Sequence, residues 1–199
     1  MTPEDVRAFE RCISEGGVAL FPADTVYGLA TDPGSRAGVE RLYRIKGRPQ
    51  DRPAAVMFFR LDDAIAALPE LGPRTREALE RLLPGPVTLL LPNPEGRFPL
   101  ACGPAPQRLG VRVPETGALA AVRRPVLQSS ANPSGGADAR RLGDVDERIR
   151  REVDLALEGG ELPGTPSTVI DLTSYESSGG HAVTREGAFP AAEIERRLR

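Results

Sequence analysis

Residues 18–21, 54–59 and 87–91 are short apolar runs, the last interrupted only by Thr88, and they narrow what this chain can become. A strand that is apolar at every position needs cover on both faces, which a sheet reached by water on one side cannot give it. The cover lies between the runs. Pro3 opens a helical pattern with Val6, Phe9, Cys12 and Ile13 on one face, stopped at Gly16-Gly17. Ser35 caps a second, with Val39, Leu42 and Tyr43 on one face, which runs to Lys46. Further helices are expected over 61–68, 73–83, 115–122, 142–151 and 190–198, and further strands at 110–113, 125–129, 153–157, 167–172 and 181–185. The segment 25–31 reads as extended with a break at Gly28, and 174–184 as a hairpin around Gly179-Gly180. Strands alternating with helices predict an α/β fold, a mixed open sheet flanked by helices. With 199 residues, no internal repeat and no long linker, 1–199 reads as a single domain.

Absences restrict the chemistry. The one histidine, His181, sits in a glycine turn, so a multi-histidine metal centre is excluded and a Ser-His-Asp triad is disfavoured. Neither a Gly-x-x-x-x-Gly-Lys-Ser/Thr loop nor a Gly-x-Gly-x-x-Gly fingerprint is present. Cys12 and Cys102 have no metal-binding spacing, and with no export signal at an acidic, helical N-terminus the expected compartment is the reducing cytoplasm. No apolar run approaches the roughly 20 residues of a membrane span. A net charge of −2 supplies no global field for nucleic acid.

Of 26 basic residues only Lys46 is a lysine. A compact ammonium does what a guanidinium cannot at a crowded phosphate or carboxylate. Lys46 also reads as a helix-terminal lysine ahead of a glycine cap, favoured by the helix dipole. Polar motifs recur at strand ends, where open α/β sheets place ligands: Ala23-Asp24-Thr25-Val26-Tyr27-Gly28, Lys46-Gly47-Arg48-Pro49-Gln50-Asp51-Arg52-Pro53, Ser129-Ser130-Ala131-Asn132-Pro133-Ser134, and Pro166-Ser167-Thr168-Val169-Ile170-Asp171 with Thr184-Arg185 beyond it. Gly110-Val111-Arg112-Val113-Pro114 adds an arginine within an apolar strand. Taken singly each reads equally as turn or strand chemistry. Together they describe a pocket of cations and small hydroxyls, suited to a polyanion such as ATP and a small carboxylate-bearing substrate.

In order, Phe21-Pro22-Ala23-Asp24-Thr25-Val26-Tyr27-Gly28-Leu29, Lys46-Gly47-Arg48-Pro49, Leu83-Pro84-Gly85-Pro86-Val87-Thr88-Leu89, Gly110-Val111-Arg112-Val113-Pro114, Ser130-Ala131-Asn132-Pro133-Ser134-Gly135 and Pro166-Ser167-Thr168-Val169-Ile170-Asp171 resemble the threonylcarbamoyl-AMP synthase, YrdC-like family over about 14–187. The resemblance implies a twisted mixed sheet with a concave ligand cavity. It implies synthesis of threonylcarbamoyl-AMP and pyrophosphate from L-threonine, bicarbonate or CO2, and ATP carrying Mg2+, with no protein metal site. A downstream complex would transfer the group to tRNA, with at most weak direct RNA contact. By the same resemblance Lys46 and Arg48 act on the phosphates. Arg48, Arg52, Ser130, Asn132 and Arg185 hold the nucleotide. Thr25, Arg112, Gln128 and Ser167 bind the amino acid, Arg112 through its carboxylate. Met57 and Arg108 depart from what some members carry near threonine. The chain resembles the short, single-domain members. Lys46→Ala is expected to abolish adenylate formation with little loss of stability. Two alternatives stay open: a carbamoyl-adenylate-forming domain, and an RNA-binding or ribosome-maturation factor. The Pro/Gly-rich segment 92–107 reads as either a lid or a static loop.

Overall fold

The computed structural model describes residues 1–115 and 117–199. Among the described residues nine strands form one mixed sheet. They are β1 (Ala19–Pro22), β2 (Tyr27–Thr31), β3 (Ala55–Met57), β4 (Val87–Pro92), β5 (Arg108–Arg112), β6 (Val126–Ser130), β7 (Leu155–Ala156), β8 (Thr168–Asp171) and β9 (Ala182–Arg185), in the spatial order β7-β1-β2-β6-β3-β5-β4-β8-β9. Pairs β1/β7, β3/β5 and β4/β8 are parallel and the other five antiparallel. The eight helices among the described residues are α1 (Pro3–Ser14), α2 (Arg36–Lys46), α3 (Leu61–Ala67), α4 (Pro73–Leu82), α5 (Pro99–Cys102), α6 (Glu147–Glu152), α7 (Tyr175–Ser178) and α8 (Ala191–Leu198). None is long and apolar enough to cross a membrane.

Register sorts the strand residues onto two faces. Leu20, Leu29, Leu127, Val56, Val111, Leu89 and Ile170 share one face and a core with Leu42 and Ile45 of α2, Leu79 and Leu82 of α4, Ile149 of α6 and Ile194 of α8. The other face divides. Ala19, Phe21, Ala30, Met57 and Val126 are covered by α1 through Val6, Phe9 and Ile13, with Phe9 5.3 Å from Phe21 between ring centroids. Beyond them Gly28, Ala55 and Gly110 follow on the same face. These residues carry a methyl at most, so the sheet presents a hollow there instead of a packed layer. The concave cavity is therefore a consequence of residue size at three register positions.

Short elements depart from the periodicity. The 92–107 loop contains α5 and is pinned from inside. Buried Asn93 donates to the carbonyls of Arg97 and Pro106 and accepts from the Arg97 N–H, while the Arg97 guanidinium pairs with Glu70 at 2.8 Å. That network favours the static reading over the lid. The 142–151 helix divides into a 3-10 turn, Leu142–Asp144, and α6, because Asp146 leaves the helix and caps the Arg148 N–H. The expected 115–122 helix is a 3-10 turn over Gly117–Ala121, and Thr116 lies outside the described residues. The 174–184 hairpin is replaced by α7, closed by Gly179 at φ 71°, and the antiparallel pair is β8 with β9.

Candidate active site

The hollow is a cavity of about 310 Å3. Its wall takes Thr25 and Val26 from the β1–β2 turn, Arg48 and Pro53 from the loop after α2, and Arg108 and Arg112 from β5. Gln128, Ser130 and Asp138 come from β6 and its following loop, Thr88 from β4, Ser167 from before β8, and Arg185 from the end of β9. Four arginines face one carboxylate, Asp138, so the cavity is cationic inside a chain of net charge −2.

Lys46 is the helix-terminal lysine that the sequence allows, but its amine meets protein oxygens behind the cavity wall. It ends α2, and Gly47 adopts φ 61°, a left-handed cap that hands the chain to Arg48. Its amine turns inward, only 3% exposed. Nζ lies 2.5 Å from the Ser130 carbonyl, 2.8 Å from the Asn132 carbonyl, 2.6 Å from Asn132 Oδ1 and 3.2 Å from Ser130 Oγ. Ser130 Oγ donates to Asn132 Oδ1 at 2.6 Å, and Asn132 Nδ2 donates to the Gly136 carbonyl at 2.5 Å. The Lys46 carbonyl in turn accepts from Ser134 N–H. The structure thus brings Lys46, Ser130 and Asn132 together as a closed polar knot joining α2 to the β6 loop. Ser130 reaches the cavity wall; Lys46 and Asn132 stand behind it. Among the described residues no carboxylate bonds the amine. Burial, seconded by the Arg48 charge and opposed by Asp138, pulls the Lys46 pKa from 10.5 to about 8.

Arg48 reaches the cavity with Nη2 on the Pro53 carbonyl at 2.6 Å, its guanidinium 5.7 Å from the Tyr43 ring centroid, and Nε buried without a partner. Across the cavity, Arg185 Nη2 donates to the Ser167 carbonyl at 2.7 Å and to its Oγ at 3.2 Å. Ser167 Oγ also shares a 2.9 Å hydrogen bond with Thr88 Oγ1. Arg52 is placed differently from the sequence reading. It is exposed on the outer loop and does not line the cavity; its backbone is held there, the carbonyl by the Tyr43 hydroxyl at 2.6 Å and the N–H by the Pro49 carbonyl at 3.1 Å.

Arg112 is the most buried of the cavity arginines. Its side chain is 4% exposed, and Nη2 meets Asp24 Oδ1 at 2.6 Å and Thr25 Oγ1 at 3.4 Å. Gln128 lines the same wall. Burial pushes the Asp24 carboxyl above the ordinary carboxylate range, against the pull of Arg112. Met57 is fully buried against α1 and takes no part in the cavity, whereas Arg108 does, half exposed and 3.7 Å from Asp171. Sequence reasoning assigned no role to Asp24, Thr88 or Asp138. Asp24 adjoins Thr25 in a motif already noted, but its pairing with a strand 88 residues away is a tertiary fact. Among the described residues no three His, Cys, Asp or Glu side chains are grouped to hold a metal ion.

A family model spanning Sua5, YciO and YrdC proteins, described as "Telomere recombination", matches residues 11–187. The chain belongs to this family. Within the Sua5/YciO/YrdC family, the threonylcarbamoyl-AMP synthase of Pyrococcus abyssi is 32% identical over 189 residues, 92% of this chain and 54% of that protein. The threonylcarbamoyl-AMP synthase of Pseudomonas aeruginosa (strain UCBPP-PA14) is 32% identical over 169 residues, 82% of this chain and 90% of that protein. Pyrococcus abyssi Sua5 complexed with L-threonine superposes with a TM-score of 0.85 at 30% identity, over 96% of this chain and 56% of that chain. The chain spans about half the length of the Pyrococcus relatives and most of the Pseudomonas one.

Proposed function

We propose that this chain, acting as one cytoplasmic domain, is an L-threonylcarbamoyladenylate synthase. It joins L-threonine, bicarbonate or CO2, and ATP, and supplies the product to a tRNA-modifying complex. The observation that carries the reading is a single cationic cavity with a buried arginine, Arg112, at one end and Arg48 and Arg185 nearer the mouth, in a family that includes a threonine-bound structure.

Arg112 and Thr25 hold the amino-acid carboxylate, with Gln128 and Ser167 completing that end. The neutral amine adds to CO2, forming an N–C bond and releasing one proton to solvent. A carboxylate oxygen of the new carbamate then attacks the α-phosphorus, and the bond to the bridging oxygen breaks as pyrophosphate departs. Arg48 and Arg185 face that charge. Charge-assisted hydrogen bonds of this kind contribute about 1.5–3 kcal/mol each. Ser130 presents its hydroxyl to phosphate or ribose because Lys46 and Asn132 hold it there. Mg2+ carried on the triphosphate would meet one cavity carboxylate, the Asp138 side chain, and would add charge neutralisation. Because the protein supplies positioning and electrostatics, no nucleophilic side chain is required.

Pyrophosphate release from ATP, measured with and without L-threonine and bicarbonate, tests the reading. Release is expected only with both. Release dependent on carbamoyl phosphate and independent of threonine would move the chain to carbamoyl-adenylate chemistry. No release from folded protein would leave RNA binding, which weakens steeply with salt, as the reading to pursue.

A pH dependence follows from Lys46. Its cation holds the knot, and above about pH 8 the folded protein loses that proton while the unfolded chain keeps it to 10.5. Turnover should therefore fall through about pH 8. Stability from this group moves the opposite way, because the unfolded state binds more protons between those values and folding gains as pH rises. Parallel profiles of kcat and melting temperature check this. A rate loss that follows the melting temperature down would overturn it.

A further inference from the structure

We propose that Asp24 is a positioning residue for the amino-acid end of the cavity: it holds the Arg112 guanidinium in one orientation, so that its free edge meets a substrate carboxylate. The inference rests on the reading of Arg112 as the carboxylate clamp. Arg112 extends from the last residue of β5, and Asp24 sits in the turn between β1 and β2, so the pair bridges two strands that are not neighbours in the sheet. Both side chains are buried, at 4% and 7% exposure.

The pairing is one-sided. Nη2 alone bonds the carboxylate, at 2.6 Å, and Thr25 Oγ1 takes the same nitrogen at 3.4 Å. A fork-on-fork pair would engage Nε and Nη2 with both oxygens. Here Arg112 Nε and Asp24 Oδ2 are both buried and, among the described residues, without partners. Asp24 therefore holds the guanidinium through one nitrogen, Nη2, and the edge carrying Nη1 is left to the cavity that Arg112 lines. Burial most disfavours the charge on Arg112 and the nearby Arg185 adds to that effect; the Asp24 carboxylate opposes both. Without the carboxylate, the guanidinium would be free to turn toward other acceptors and away from Arg185. The phosphate end, built on Arg48, Ser130 and Arg185, does not touch Asp24, so the effect should be confined to the amino acid.

The test is steady-state pyrophosphate release by Asp24→Ala and Asp24→Asn, varying threonine at saturating ATP and then ATP at saturating threonine. Each variant is expected to raise the threonine KM about tenfold or more, the scale of one charge-assisted contact, with the ATP KM within about twofold. Formate added to Asp24→Ala should restore part of the threonine KM, which a purely structural defect would not show. Asp24→Asn keeps the shape and a hydrogen-bond acceptor, and carries the KM comparison should the alanine variant fail to fold. An unchanged threonine KM in folded Asp24→Asn, beside a raised one in Arg112→Gln, would overturn the role of Asp24 alone. Unchanged threonine KM in Arg112→Gln as well would overturn the clamp on which it rests.

Discussion

Lys46→Ala should abolish pyrophosphate release and also lower the stability of the folded chain by about 2–4 kcal/mol, the cost of leaving two or so buried acceptors unpaired. The sequence alone predicts only the first effect. A lone lysine in a motif reads as a group that touches phosphate, and such a group is dispensable to the fold. Its placement argues otherwise. The amine satisfies the Ser130 and Asn132 carbonyls and Asn132 Oδ1, all within 2.8 Å, the two bonds to Asn132 buried and the one to Ser130 partly so. Alanine leaves those oxygens facing one another. The β6 loop then loses its anchor, Ser130 leaves the cavity wall, and the nucleotide end is disordered from behind. Lys46→Arg is the informative companion. The guanidinium keeps the charge but cannot place a point donor among four oxygens, so it should recover little activity. Urea denaturation and pyrophosphate release on both variants decide the matter. Wild-type midpoints with lost turnover would return Lys46 to a direct phosphate contact.

The elements that sequence reasoning placed well are those whose signals are local. The 18–21, 54–59 and 87–91 runs became β1, shifted by one residue, β3, trimmed at both ends, and β4, extended to Pro92, because a strand buried on both faces is written mainly in apolar residues. Ser35 caps α2 through its hydroxyl to Gly38 N–H, and Gly47 closes it, because both ends are fixed within a few residues. One-turn elements such as α5 and α7 are too short for periodicity to distinguish from loop. At the candidate site, seven of the residues read from the sequence, Arg48, Ser130, Arg112, Gln128, Thr25, Ser167 and Arg185, line one cavity. It gave no depth. Whether Lys46 faces a ligand or a carbonyl, and whether Arg52 reaches inward, depends on side-chain direction at a loop that only the packed structure defines. Asp24 and Asp138 escaped for the same reason: a carboxylate acquires a role from the cation that folding brings to it.

Arg112→Ala should raise the KM for threonine by about a hundredfold, the upper range of a charged hydrogen bond lost, and leave the KM for ATP nearly unchanged. It should also destabilise the fold, because breaking a buried pair from one side leaves the other charge uncompensated, at a cost of about 3–5 kcal/mol. The two losses are separable. Burial already raises the Asp24 carboxyl, and without its cation that carboxyl rises further. A raised carboxyl stabilises the fold while it is protonated and loses that contribution as pH climbs through its folded value. The single variant should accordingly be most stable in mild acid. In the double variant Arg112→Ala/Asp24→Asn no buried carboxylate remains to be neutralised. Its stability should recover at neutral pH, and its affinity for threonine should not. Melting temperatures and threonine titrations of the wild type, both single variants and the double form a closed cycle that measures the coupling directly. If the Arg112 variant loses ATP affinity alone, the carboxylate clamp lies elsewhere, and Arg108, the cavity arginine with no phosphate role assigned, becomes the residue to replace next.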